Sequence, residues 1–344
     1  MRWPCLRHRP LRLHDERFST IVPVSGATAN VPQVHDNDRD NPAVHRLRGR
    51  FVDDSRTYEP VSGRGRVRHL ALSALAARDR LFGRMAALRT PRVQVLLLHH
   101  IFDDEVDGFR RQLAALARDH EFITYSEAVR RILAGDHPRP AVTFSYDDGH
   151  ANCMAAARTM EEFGASGCFF VCPSIVGERD VMRASDFCIG RLHHPPAPFM
   201  DWDDLAALRD RGHEIGNHTF NHANLGRIPP EAHAEEIARS RETIIARLGA
   251  CEHFAWPYGG LVNMTPRAAA AVFDSGHRSC ASALRGCHRE PMPERGCLRR
   301  DHILGRWPAS HVLWFMARNA SAAPTVPADG WPSEWRSAAL ASSR

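Results

Sequence analysis

The chain has 344 residues, 43% of them hydrophobic, enough to bury one large core or two medium ones. Its formal net charge is +5, and the 45 basic residues are all arginine because the chain contains no lysine. So mild a balance does not mark a nucleic-acid binder, and no apolar run reaches the length of a membrane span. The nine cysteines are odd in number and form no C-x-x-C pair, which excludes a regular disulfide framework and points to a reduced compartment. The first residues, MRWPCLRHRPLRLHDERF, lack the apolar core of a secretion signal, so the expectation is a cytoplasmic protein.

Residues 1–66 are rich in Arg, Asp, Asn, Pro, Gly and His without a sustained period, and are expected to form a poorly structured extension. A helical pattern follows over 67–90, through Leu70, Leu72, Leu75, Leu81, Phe82, Met85 and Leu88. The compact part starts near Pro91. Residues 93–100 read as a buried strand, 107–120 as a helix with Phe109, Leu113 and Leu116 on one face, and 122–125 as a strand. A helix over 126–135 has Ser126 as its predicted N-cap and Gly135 past its end. Then come a strand at 141–146, a helix at 151–164 and a strand at 168–172. An insertion over 173–200 breaks the rhythm. It resumes with a helix at 203–212, a strand at 213–218, a long helix at 229–249, a strand at 253–256, a helix at 265–276 and a strand at 277–282. A last strand is predicted over 297–304 and a closing helix over 308–319, with Pro308 at its start. Residues 319–344 read as a flexible tail. Roughly seven strand–helix alternations predict a parallel α/β architecture, open or closed into a barrel, with its sites at the carboxyl ends of strands.

Three polar stretches stand at such ends. AVTFSYDDGH, at 141–150, sets Asp147 and Asp148 side by side, where like charges repel and burial costs each its hydration. GNHTFNH offers His218 and His222 at i and i+4, a spacing that can aim two imidazoles at one divalent metal, with a carboxylate as the usual third donor. FAWPYGG, at 254–260, sets an aromatic turn after a strand. Each alone has a plain structural explanation: a solvated turn, a polar loop, an aromatic turn.

Taken in this order, TFSYDDG, HTFNH and FAWPYG resemble the polysaccharide deacetylase family, the NodB-homology or family 4 carbohydrate esterases. LLLHH, FITYSEA and WDDLAALRDRGHEIGNHT are similar to stretches of its members, so the resemblance spans about 91–318. It implies an irregular (β/α) barrel and a hydrolase that removes acetyl groups, N-acetyl before O-acetyl, from an acetylated oligo- or polysaccharide. It implies a divalent metal, zinc first among several candidates, held by Asp148, His218 and His222 and activating the attacking water. It assigns Asp147 as general base and the Tyr258 backbone N–H to the oxyanion, with Trp256, Pro257 and Tyr258 as substrate contacts. Arg300, or its neighbour Arg299, is the candidate that orients Asp147. No clean match exists for the general acid; His302 and His311 are candidates by position. Two other readings stay open: a related barrel hydrolase that opens cyclic amides or imides, and a catalytically weakened glycan-binding module. No nucleic-acid partner is expected, and the sequence leaves the oligomeric state open.

Overall fold

The computed structural model describes residues 46–58, 60, 62–322 and 330–335. A nine-stranded sheet runs in the order β8-β7-β6-β5-β4-β3-β1-β9, with β2 added beside β3, and every pairing between these strands is parallel. The strands are β1 Arg92–Leu98, β2 Glu121–Phe122, β3 Pro140–Tyr146, β4 Gly167–Val171, β5 Glu214–Asn217, β6 His253–Ala255, β7 Ser279–Ala281, β8 Cys297–Leu298 and β9 Asp301–His302. The predicted last strand is thus two. Cys297 and Leu298 pair with β7 at one edge, and Asp301 and His302 pair with β1 at the other. Only Arg299 and Arg300 separate them, so the sheet curls until its edges meet at this seam.

Alternation along each strand sorts the side chains into two layers. Leu96, Leu98, Val142, Phe144 and Tyr146 face outward into a core shared with α3 Val106–Leu116 and α5 Cys153–Glu161. Val93, Val95, Ala141, Cys168, Phe170, Ala255, Ala281 and Leu298 pack together in the barrel interior. Gly216 is needed in that interior: a Cβ there would come within 2.4 Å of the Phe170 ring.

Helix α4, Tyr125–Ala134, is capped two residues earlier than at the predicted Ser126. Thr124 is its N-cap, accepting from the Glu127 N–H, while Gly135 closes it in the left-handed conformation at φ 68°. The long helix over 229–249 is interrupted: a π turn at Glu235–Arg239 precedes α8, Ser240–Leu248.

The two segments predicted to be loose, and the insertion left without assigned elements, prove structured in part. Of the 1–66 extension, residues 1–45 lie outside the described residues. Residues 46–58 pack on the barrel, with Val52 and Tyr58 buried against Phe102. They also strap the insertion, through Arg48 to Asp186 (2.5 Å), Gly49 N–H to Ser185 Oγ (3.0 Å) and Val52 N–H to the Pro196 carbonyl (2.8 Å). The insertion holds α6 Val181–Phe187 and a π turn at Cys188–Leu192, around a small core of Cys172, Ile175, Ala184, Cys188, Leu192 and Phe199. Of the predicted tail, 323–329 and 336–344 lie outside the described residues, but Trp331 is fully buried, stacks on Trp256 at 5.9 Å and donates to the Arg295 carbonyl at 2.8 Å. Trp331→Ala is therefore expected to lower the unfolding free energy by about 3–5 kcal/mol, read from urea denaturation. An unchanged midpoint would show that this return of the chain contributes nothing.

Eight cysteines are free among the described residues, seven of them buried. Among the described residues no helix is long and apolar enough to cross a membrane.

Candidate active site

The inward parity of the strands continues past their carboxyl ends and delivers the site. Ala141 faces the interior, so Ser145 and Asp147 face the same way, and the corresponding phases carry His99, His218, Arg300 and His302 inward. Asp147 and Asp148 are both buried, at 4% and 3% exposure.

Asp147 lies at the end of β3, where its N–H donates to the Leu98 carbonyl at 3.0 Å. Its carboxylate accepts two hydrogen bonds from Arg300, Nη1 to Oδ1 at 2.7 Å and Nη2 to Oδ2 at 2.8 Å. Arg300 comes from the seam between β8 and β9. It is fully buried, donates from Nε to the Ser282 carbonyl at 2.7 Å and lies over the Phe170 ring at 5.4 Å. Burial alone pushes the Asp147 pKa up. The Arg300 guanidinium, with His218 and His99, outweighs it, so the group ends below the usual 3.8. Arg299, the alternative partner, instead donates its backbone N–H to His288 Nε2 at 3.1 Å.

Asp148 Oδ1 stands 3.5 Å from His218 Nε2 and 3.3 Å from His222 Nε2. These spacings suit ligands sharing one ion: donor bonds near 2.1 Å in a tetrahedron put neighbouring donors about 3.4 Å apart. The tautomer fits too. His218 Nδ1 lies 2.8 Å from the Ala255 carbonyl, which can only accept, so Nδ1 carries the proton and Nε2 offers its lone pair. Burial raises the Asp148 pKa, and the two histidines overcome that and hold it well below 3.8. One carboxylate and two imidazoles, buried and mutually aimed, form a donor set that fits a divalent cation. The two histidines sit on a loop rather than on one helix face. Asn217 shapes that loop, accepting the Thr219 N–H at 2.9 Å and donating to the Ile237 carbonyl at 2.8 Å.

Backbone strain concentrates here. Among the described residues the non-glycine positions with positive φ are Asp148 (74°), His193 (58°), Thr219 (64°), His222 (55°) and Tyr258 (65°). Two are donors of the triad, Thr219 lies between its histidines, and Tyr258 sets its ring 4.8 Å from His222. His193 stacks on Tyr258 at 5.9 Å. Such conformations persist only where surrounding contacts over-determine them, and they gather at functional sites.

The aromatic turn divides differently from expectation. Trp256 is fully buried; its indole donates to the Gly260 carbonyl at 3.0 Å, so it supports the turn from the core and cannot touch a substrate. Pro257 is buried as well. Tyr258 remains half-buried and lines an open cleft with Arg191, His193, His222, Asn224 and Ile228. Its hydroxyl donates to the Arg191 carbonyl at 2.7 Å.

His311 is not in the site. It lies on α10, Ala309–Ser321, where Nε2 is 2.9 Å from Ser73 Oγ and its ring 4.7 Å from His69, both on α2, Gly63–Leu81. His302 is inside the barrel, but behind another histidine: its ring meets His99 edge-on at 5.0 Å, and burial holds its pKa well below 6.5. His99 is the residue that motif reading passed over. It follows β1 at the carboxyl end and is among the groups that lower the carboxyl pKa of both Asp147 and Asp148. The signal was the parity of 93, 95, 97 and 99, hidden within a run that is apolar at every position up to Leu98 after Gln94.

A curled parallel barrel carries paired carboxylates at its strand ends, one locked to an arginine and one facing two imidazoles in a donor set that could hold a divalent cation. Residues 134–276, which include Asp147, Asp148, His218, His222 and Tyr258, match the family model for polysaccharide deacetylase, and this part of the chain belongs to that family. The family assignment supports carbohydrate deacetylation. No curated protein matches the chain. Solved structures of similar fold include the Streptococcus pyogenes deacetylase PplD in complex with acetate, 16% identical over 66% of this chain and 99% of that one, with a TM-score of 0.54. IcaB from Ammonifex degensii is 20% identical over 68% of this chain and 99% of that one, TM-score 0.56. A de-N-acetylase from Aggregatibacter actinomycetemcomitans is 17% identical over 65% of this chain and all of its own, 100%, at TM-score 0.52. At these identities the likeness is one of fold.

Proposed function

We propose that the protein is a metal-dependent hydrolase that removes acetyl groups, N-acetyl in preference to O-acetyl, from a carbohydrate. The observation that carries this reading is the division of labour between adjacent carboxylates: Asp148 faces His218 and His222, while Asp147 is held apart by a bidentate Arg300. Asp148, His218 and His222 would hold the cation, zinc by preference. A divalent cation bound there supplies Lewis acidity toward the acetyl carbonyl and makes nearby water more acidic.

The chain's own residues do the rest. Asp147, kept ionised by Arg300, accepts a proton from the attacking water. Arg300 fixes the direction of that carboxylate, since a guanidinium fork on both oxygens removes its rotation. The Tyr258 backbone N–H, held at φ 65°, donates to the developing oxyanion. His99 is assigned as the group that protonates the departing amine. This rests on its inward position beside both aspartates, with His302 packed behind it as a neutral support. The cleft beside Tyr258 and His222 takes the sugar.

The test is acetate release from N-acetylated amino-sugar oligomers and from an O-acetylated glycan, before and after chelation. Release from the N-acetylated substrate is expected to vanish on chelation, to return with Zn²⁺, and to fall by about 10²–10⁴-fold in Asp147→Asn. Chelation without effect, or full activity in that variant, would sink the reading.

A further inference from the structure

Asp148 belongs to a second donor group. Its carboxylate, one nitrogen of His150 and one of His194 all lie within 4.8 Å of one another, as do the donors of the first group with His218 and His222. His150 is 0% exposed, and neither of its ring nitrogens has a hydrogen-bond partner. The Pro198 carbonyl acts on the ring without making a hydrogen bond to it, and accepts instead from the Ala151 N–H at 2.8 Å. A wholly buried imidazole with both nitrogens unmet is costly unless something absent from the chain satisfies it. Its ring is held rather than loose, stacked on Phe199 at 5.0 Å. His194 Nδ1 likewise has no partner, and its backbone is fixed by an N–H bond to the Cys188 carbonyl at 3.1 Å.

We propose that His150 and His194, with Asp148 shared, hold a second divalent cation beside the one assigned to Asp148, His218 and His222. Imidazole with carboxylate suits a borderline first-row ion such as Zn²⁺ better than Ca²⁺ or Mg²⁺, which take oxygen donors. A carboxylate has two oxygens, and one of them, Oδ1, already faces both His218 and His222. The insertion over 173–200, which the family motifs do not read, thereby contributes His194 to the metal chemistry. The strap that carries Tyr58, whose ring meets His194 edge-on at 5.8 Å, covers this side of the site. The proposal rests on the first-site reading only for the shared Asp148.

The experiment is native mass spectrometry of the full chain, stripped by chelation and titrated with Zn²⁺ alone. Wild type is expected to take two ions, and His150→Gln, His194→Ala and His218→Ala one each. One ion in wild type, retained in His150→Gln and His194→Ala but lost in His218→Ala, overturns the second site and leaves the first standing. One ion lost in His150→Gln and retained in His218→Ala supports the second site and overturns the first. No bound ion overturns both. Should His150→Gln fail to give the wild-type circular dichroism spectrum, the half-buried His194 position supplies the same readout.

Discussion

Replacing Arg300 with methionine is expected to lower kcat/KM at neutral pH by on the order of 10²-fold and to move the acid limb of the pH–rate profile upward. Two opposed forces act on Asp147: burial raises its pKa, and Arg300 leads the groups that bring it below 3.8. Methionine keeps the bulk over Phe170 and removes the charge, so burial prevails, the carboxyl holds its proton to higher pH and the base is lost from the acid side first. Stability follows the same linkage. A depressed carboxylate stabilises the folded chain above the unfolded value near 3.8, and that contribution fades as pH falls through the folded pKa. The methionine variant should lose stability at neutral pH, by about 3–5 kcal/mol for a buried charge left alone, and should show a flatter acid limb in its stability curve. Arg300→Lys separates charge from geometry. It is expected to keep the acid limb near that of wild type while losing rate, because an ammonium cannot grip both oxygens. An unmoved acid limb in Arg300→Met would remove Asp147 as the base.

The site was legible where it consists of residues at strand ends in sequence order. Asp147, Asp148, His218 and His222 follow one another in the order of the motifs the chain resembles, and the fold brings all of them to one end of the barrel. What escaped was everything that depends on where the chain returns in space. A continuous strand over 297–304 was the natural reading of CLRRDHIL, since alternation cannot show that a strand changes partners midway. Yet that change joins the two edges of the sheet and aims Arg300 at Asp147. Trp256 looked like a sugar contact because nothing local to it shows that Trp331, 75 positions on, will cover its face. His311 was close in sequence to the expected acid but sits on the outer helix layer, whereas His99 lies nearly fifty positions before the aspartates and reaches the interior through strand parity. The N-terminal strap has no periodicity to announce it. Its few buried side chains, Val52 and Tyr58, gain their meaning from Phe102 and the insertion they meet.

Asp148→Asn is expected to lower acetate release by about 10³-fold or more while leaving the fold intact, a separation that most active-site substitutions do not offer. The position has φ 74°, a conformation that asparagine adopts more readily than other side chains, so the turn survives. Asparagine also preserves the volume between His218 and His222, whose Nε2 atoms lie 3.5 and 3.3 Å from the native oxygen. What disappears is the negative charge. A neutral amide is a poor donor to a divalent cation, and losing Lewis acidity worth several kcal/mol gives that rate factor at about 1.4 kcal/mol per tenfold. The electrostatic consequence can be followed without activity. Burial lowers the His218 pKa, but Asp147 and Asp148 overcome it and carry the group above 6.5 in the metal-free chain. Removing one of those two carboxylates should bring the His218 titration down, visible by NMR of the imidazole protons in chelated protein. Zn²⁺ affinity should drop in parallel. Unchanged affinity, together with unchanged acetate release, would show that the paired carboxylates do not divide the work between base and ligand.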